Sequence, residues 1–231
     1  SKIVETVLPE VEIAEITHKM GMNRKTAHSY SKSFEGNYGQ VRDVIILEST
    51  WLGYYEPYTT KMTSSFVGNM MVSNGQSDIA KENGLLPFEL LVLEPIRTIC
   101  EKIMSLVRFS YTETPVDNLK KKIRHIYDLH QLLKQKEFLA FFNSSEFDQL
   151  LLKVAADDMV SFRNNNVWLN NHPNEAIIFK DVENIWDELK IVYSNDFRNL
   201  VYGDFPDEDV VLKTLKMIQE RLATIFWTIK S

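Results

Sequence analysis

Cysteine is almost missing: Cys100 is the only one in 231 residues, so no intramolecular disulfide can form and stability does not rest on oxidation. Long apolar runs are missing as well. Stretches such as 44–47 and 90–93 are strand-sized, and none approaches the ~18 residues of a membrane span. Eight glycines and seven prolines exclude a collagen-like chain, and 44% hydrophobic residues exclude a disordered tail. Excess positive charge is absent: the net charge is -6, the pI about 5.5 and the mean hydropathy -0.22. A broad duplex-DNA face needs clustered Lys and Arg, so that class is set aside, while a local basic groove for one nucleotide or one RNA end stays open. The start, Ser1-Lys2-Ile3-Val4-Glu5, meets an acidic residue too early for a signal peptide, and the default expectation is a cytoplasmic protein without a membrane span.

What is present divides the chain in two. Residues 2–20 carry Ile3, Val4, Val7, Val11, Ala14 and Ile16 at roughly helical spacing, which predicts a helix that Pro9 could delay and Gly21 would cap. Residues 24–40 predict a strand or hairpin turning at Gly36-Asn37 and Gly39. Residues 41–48 read as a buried strand, 56–72 as one or two more, and 88–93 as another ended by Pro95. Beyond it the period changes to 3.6. Ile96, Ile99, Cys100, Ile103, Leu106 and Val107 mark an amphipathic helix over 95–110, and Leu119, Ile123, Ile126, Leu129 and Leu133 mark one over 117–136. Helices follow over 138–142, 146–156 with a Ser144 or Ser145 cap, 181–192 and 208–230, with an Asn-rich loop around 164–173. The expectation is an α+β protein: residues 1–93 form part of an α/β core whose remaining strands lie elsewhere, and residues 94–231 form an all-helical domain.

Chemistry-bearing patterns are few. The sequence has no nucleophile elbow, phosphate loop or zinc-ligand spacing. Of its five histidines, only His125 and His130 share a helix, and an i, i+5 pair points ~140° apart, poor geometry for a shared metal. Cys100 lies in an apolar stripe, as a buried structural thiol does. Glu48 ends a strand, where a carboxylate either holds a metal or is simply solvated. Lys102 lies off its helix's apolar stripe near Arg97, Glu101 and Arg108, with Arg97 and Glu101 spaced for an i, i+4 ion pair. Lys120-Lys121-Lys122 leads into Arg124-His125-Ile126-Tyr127-Asp128, so Asp128 sits in a basic strip as a salt-bridge partner or as part of an anion site.

Leu93-Glu94-Pro95-Ile96-Arg97-Thr98-Ile99-Cys100-Glu101-Lys102, followed by Arg124-His125-Ile126-Tyr127-Asp128-Leu129, resembles the paired motifs of the AbiEii/AbiGii nucleotidyltransferase-like toxins. Val44-Ile45-Ile46-Leu47-Glu48, Glu56-Pro57 and Thr63-Ser64 are similar to the family's strand ending in glutamate, and Tyr193-Ser194-Asn195-Asp196-Phe197 through Val201-Tyr202-Gly203-Asp204-Phe205-Pro206-Asp207 to its tail. The resemblance implies a partial nucleotidyltransferase-like (DNA-polymerase-β-like) mixed sheet with helices, followed by an all-helical C-terminal domain. It implies a bacterial-type toxin of a toxin–antitoxin pair, with an antitoxin protein as partner. Its chemistry is transfer of a nucleoside monophosphate from an NTP to an RNA or protein hydroxyl, assisted by carboxylate-bound Mg²⁺. Carried over by position, Lys102 and Asp128 are the catalytic pair, Lys102, Arg97, Arg124 and Tyr127 contact the nucleotide, and Glu48 is a metal carboxylate.

The family's catalytic strand also carries glycine-glycine-serine or threonine and then aspartate-any-aspartate. This sequence has no such motif: Asp207-Glu208-Asp209 begins a late helix, and Glu10-Val11-Glu12 lacks the preceding turn. The expectation is therefore a fragment, a truncated member, or one half of a split protein, and a chain that by itself does not transfer phosphoryl groups. The alternative is a non-catalytic helical module that binds a protein partner or RNA.

Overall fold

The computed structural model describes residues 6–18, 23–32, 43–50, 56–201 and 203–229. The Gly21 cap, the turn at Gly36-Asn37 and Gly39, and Tyr202 lie outside them. Strands β1 (Glu10–Val11), β2 (Asn23–Ser29) and β3 (Val44–Thr50) form an antiparallel sheet in that order. The helix expected over 2–20 is not found in residues 6–18. Val11 pairs with Ala27, His18 bridges Lys25, and a single turn returns Thr17 N–H to Ile13 C=O. Pro9 and the β-branched Val11, Ile13, Ile16 and Thr17 fit poorly in a helix, and pairing with β2 claims the backbone instead. Buried His28 fastens the same sheet: Nδ1 donates to Leu8 C=O at 3.1 Å, and Nε2 accepts from Thr26 Oγ1 at 3.0 Å.

β3 is not a buried strand. It is an outer strand of this sheet, and Ile45 and Leu47 are 46% and 38% exposed. A second antiparallel sheet pairs β4 (Tyr58–Thr63) with β5 (Phe88–Leu93), Tyr58 opposite Leu93. Between them, 66–72 is helical rather than extended. α1 (Phe66–Ser73) is capped by Ser65, whose hydroxyl accepts from Gly68 N–H, and α2 (Ser77–Glu82) follows. Gly75 and Gly84 stop the two helices at φ 74° and 65°.

The core lies in the helical part. Apart from Ala27 and Ala80, every buried hydrophobic among the described residues is at Ile99 or beyond. α3 (Pro95–Phe109) runs through its centre, with Pro95 in the first turn. The helix expected over 117–136 is two, α4 (Pro115–Lys120) and α5 (Ile123–Leu133). They part where Lys122 N–H closes early onto Leu119 C=O and the Lys122 ammonium settles 4.6 Å over the Phe109 ring. α6 (Lys136–Phe142) and α7 (Ser145–Ser161, capped by Ser144) come next, then the short α8 (Ile177–Lys180) and α9 (Val182–Val192). One π-type turn, Tyr193–Phe197, leads towards α10 (Glu208–Ala223). α10 stops seven residues before the expected end, where Thr224 Oγ1 bonds back to Arg221 C=O and Trp227 Nε1 donates to Leu169 C=O at 2.8 Å. Arg221 ties α10 to the α6–α7 turn through Phe142 C=O, Ser144 C=O and Asp148. Cys100 is fully buried, and burial pushes its thiol far above the usual range, which suits a structural role.

Candidate functional site

α3 turns its apolar stripe into the core and carries four charged residues, Arg97, Glu101, Lys102 and Arg108. Arg97, only 2% exposed, spends its guanidinium within the protein. Nε donates to Glu101 Oε1 at 2.8 Å, Nη2 to Asp157 Oδ2 on α7 at 2.8 Å, and Nη1 to Glu56 C=O at 2.7 Å. The expected i, i+4 pair with Glu101 is therefore one arm of a buried brace joining α3, α7 and the segment before β4. A side chain so occupied helps to hold α3 in place.

Lys102 leaves α3 toward α5. Its Nζ donates to Asp128 Oδ2 at 2.7 Å and lies 3.4 Å from His125 Nδ1. His125 and Asp128 are three residues apart on α5, so one helix face presents both to the same ammonium. The pair is half-buried, 16% and 30% exposed on the two side chains, so water screens it only in part. Burial first, then the Lys102 and Lys122 charges, press His125 down to about 4. His125 is thus neutral at pH 7, accepting at Nδ1. Asp128 takes Lys102 as its partner rather than Arg124, which is exposed one turn away. Tyr127, half-buried on α5, packs edge-on against Phe197 at 5.3 Å and stacks on Phe205 at 6.1 Å. The π-type turn supplies Phe197 to this aromatic cluster.

Glu48 lies apart from this constellation. It faces Lys25 across the β2–β3 ladder, 3.2 Å from its Nζ, with 60% of its side chain exposed. Among the described residues no group of three or more His, Cys, Asp or Glu side chains could hold a metal ion. Glu48 and Asp128 are each already paired with a lysine. The described residues do not fit a two-metal centre by themselves. Sequence alone gives no site role to His125 or Asp157. His125 could have been given one, since it lies one turn before Asp128; Asp157 becomes visible only when α7 packs on α3.

The fold is α+β, with small antiparallel sheets ahead of a helical part in which α3 and α5 set Lys102 on Asp128. The family model of the nucleotidyl transferase AbiEii toxins, of type IV toxin–antitoxin systems, matches residues 2–215, and the chain belongs to that family. No curated protein and no solved structure matches it. Among the described residues no helix is long and apolar enough to cross a membrane.

Proposed function

We propose that this chain provides the nucleotide-recognition side of an NTP-dependent nucleotidyltransferase toxin. The observation that carries it is the Lys102–Asp128 pair, two motif residues 26 positions apart that the packing of α3 on α5 brings to 2.7 Å. An ammonium has three donors. Asp128 takes one and His125 faces a second, leaving one for a phosphate oxygen. Asp128 fixes the amine in place, neutral His125 adds no competing proton at pH 7, and exposed Arg124 supplies a second cation. Tyr127 offers its ring beside them.

The reaction would pass the α-phosphoryl of an NTP to an acceptor hydroxyl of RNA or protein. The hydroxyl oxygen bonds to phosphorus, the bond to the bridging oxygen breaks, pyrophosphate leaves, and the hydroxyl proton is lost to a base. Mg²⁺ supplies charge neutralisation in such chemistry and needs carboxylates beyond those grouped among the described residues. The family places the chain in toxin–antitoxin systems, and an antitoxin is its proposed partner.

Thermal unfolding with each NTP, with and without Mg²⁺, tests the reading. Ligand at 100 times its Kd adds about 2.7 kcal/mol, a rise in Tm of about 5–10 °C for a chain of this size. Lys102→Ala and Asp128→Asn should each shrink the rise. No rise with any NTP in the intact protein would instead favour the non-catalytic helical module.

A further inference from the structure

A cleft of about 890 Å³ opens where the end of α3 meets the start of α4 and the loop after α7. Arg108, Tyr111, Asn118, Phe162, Asn165 and Trp168 are among the residues that line it. Arg108 lies six residues beyond Lys102, about 9 Å further along the helix, so this cleft is separate from the Lys102–Asp128 pair.

Its chemistry is unusual for a structural hollow. The Arg108 guanidinium stacks 4.0 Å from the Phe162 ring centroid and 5.1 Å from that of Phe109. No described residue hydrogen-bonds or ion-pairs with it, so its N–H fork is unspent. Asp158 attracts it through space without a bond. Tyr111, 38% exposed, presents a ring at the rim. Asn118, Asn165 and Thr112 add donors and acceptors along the wall. A second cation, Lys122, stands over Phe109, and its charge reaches both Arg108 and His125.

An unspent guanidinium, a partly bare aromatic ring and amide groups around a volume of this size fit a ligand with an anionic end and a flat, polar-edged one. An acidic peptide would satisfy the guanidinium and leave the ring and the amides unused. We propose that this cleft is a second nucleotide-binding site, which takes a nucleoside phosphate with the phosphate on Arg108 and the base against Tyr111. The same chemistry is offered by a free nucleotide and by one nucleotide of a single strand.

Fluorescence anisotropy with fluorescein-labelled AMP, a fluorescein-labelled six-nucleotide RNA and a fluorescein-labelled glutamate-rich peptide tests this in the full chain. Binding of the AMP probe points to a free nucleotide, and binding of the RNA alone points to a strand; both support the site. Arg108→Gln should weaken binding at least tenfold and Tyr111→Ala at least fivefold, while both keep the part of the NTP-dependent rise in Tm that Lys102→Ala removes. Tyr111→Ala, at the rim, decides the matter if Arg108→Gln fails to fold. Undiminished binding by Tyr111→Ala, no binding of either nucleotide probe at millimolar protein, or equal Arg108-dependent binding of the peptide would each overturn the proposal. A rise in Tm that Lys102→Ala leaves intact would count against the Lys102 reading alone.

Discussion

Arg97 and Arg108 lie on one helix, eleven residues apart, and differ in how their donors are used. Arg97 is saturated by Glu101, Asp157 and Glu56 C=O, whereas Arg108 rests on rings. Charge in this region has a pH signature. His125 is held down at about 4, so the folded protein binds fewer protons than the unfolded chain between about pH 6.5 and 4, and this group removes stability as pH falls through that window. Asp158 is lifted from 3.8 to about 6, chiefly by burial, so the folded protein binds more protons there and this group removes stability as pH rises through about 4 to 6. The two slopes oppose each other. Asp158→Asn is expected to raise stability at pH 7 by about 1 kcal/mol, discounted from the full linkage value for solvent screening. It should also leave a steeper rise in stability from pH 4.5 to 6.5, governed by His125. Urea unfolding at pH 4.5, 5.5 and 6.5 measures both, and a slope unchanged from the unaltered protein would contradict the opposition.

Between β4 and β5 the chain turns twice through short helices, and the close approach there is set by one glycine. A Cβ on Gly68 would lie 2.3 Å from Leu85 C=O, a backbone atom that cannot rotate away. Gly68→Ala would ordinarily favour a helix by up to ~1 kcal/mol. Here it is expected to destabilise the α1–α2 unit by about 1–3 kcal/mol, the range for overpacking. Chemical denaturation, with Gly75→Ala as a left-handed control that fails for a different reason, distinguishes contact from conformation. The helix expected over 2–20 failed at this scale: spacing alone could not weigh the hydrogen bonds that β2 offers to Val11 and His18. The break at Lys121-Lys122 was equally hidden, because its cause is a ring on α3.

Over the whole molecule, burial is lopsided. α3 packs against α5 and α7 in one continuous core, while the β4–β5 pair exposes apolar side chains: Phe88, Leu90 and Leu91 are 54%, 45% and 69% exposed. A two-stranded hairpin is marginal by itself. Hydrogen exchange is therefore expected to show slow, globally protected amides in α3, α5, α7 and α10, and faster, locally opening amides in β4 and β5. Limited proteolysis should leave a helical fragment beginning near Pro95, which would support a boundary at 93–94 between two domains. Uniform protection across both parts would argue for one cooperative unit.

The amino-acid sequence by itself determined the α+β class, the change of hydrophobic period at Pro95, and the two motifs that place the chain among the AbiEii toxins, because these rest on local spacing and residue type. It put Lys102 and Asp128 off the apolar stripes of their helices, but not on each other. Only the packing of α3 against α5 and α7 decided that Lys102 meets Asp128 and His125, and that Arg97 is consumed by Asp157 while Arg108 keeps its donors. Glu48 shows the same limit from the other side. Its partner Lys25 is set by the register of β2 on β3, and inter-strand register is a property of two segments at once.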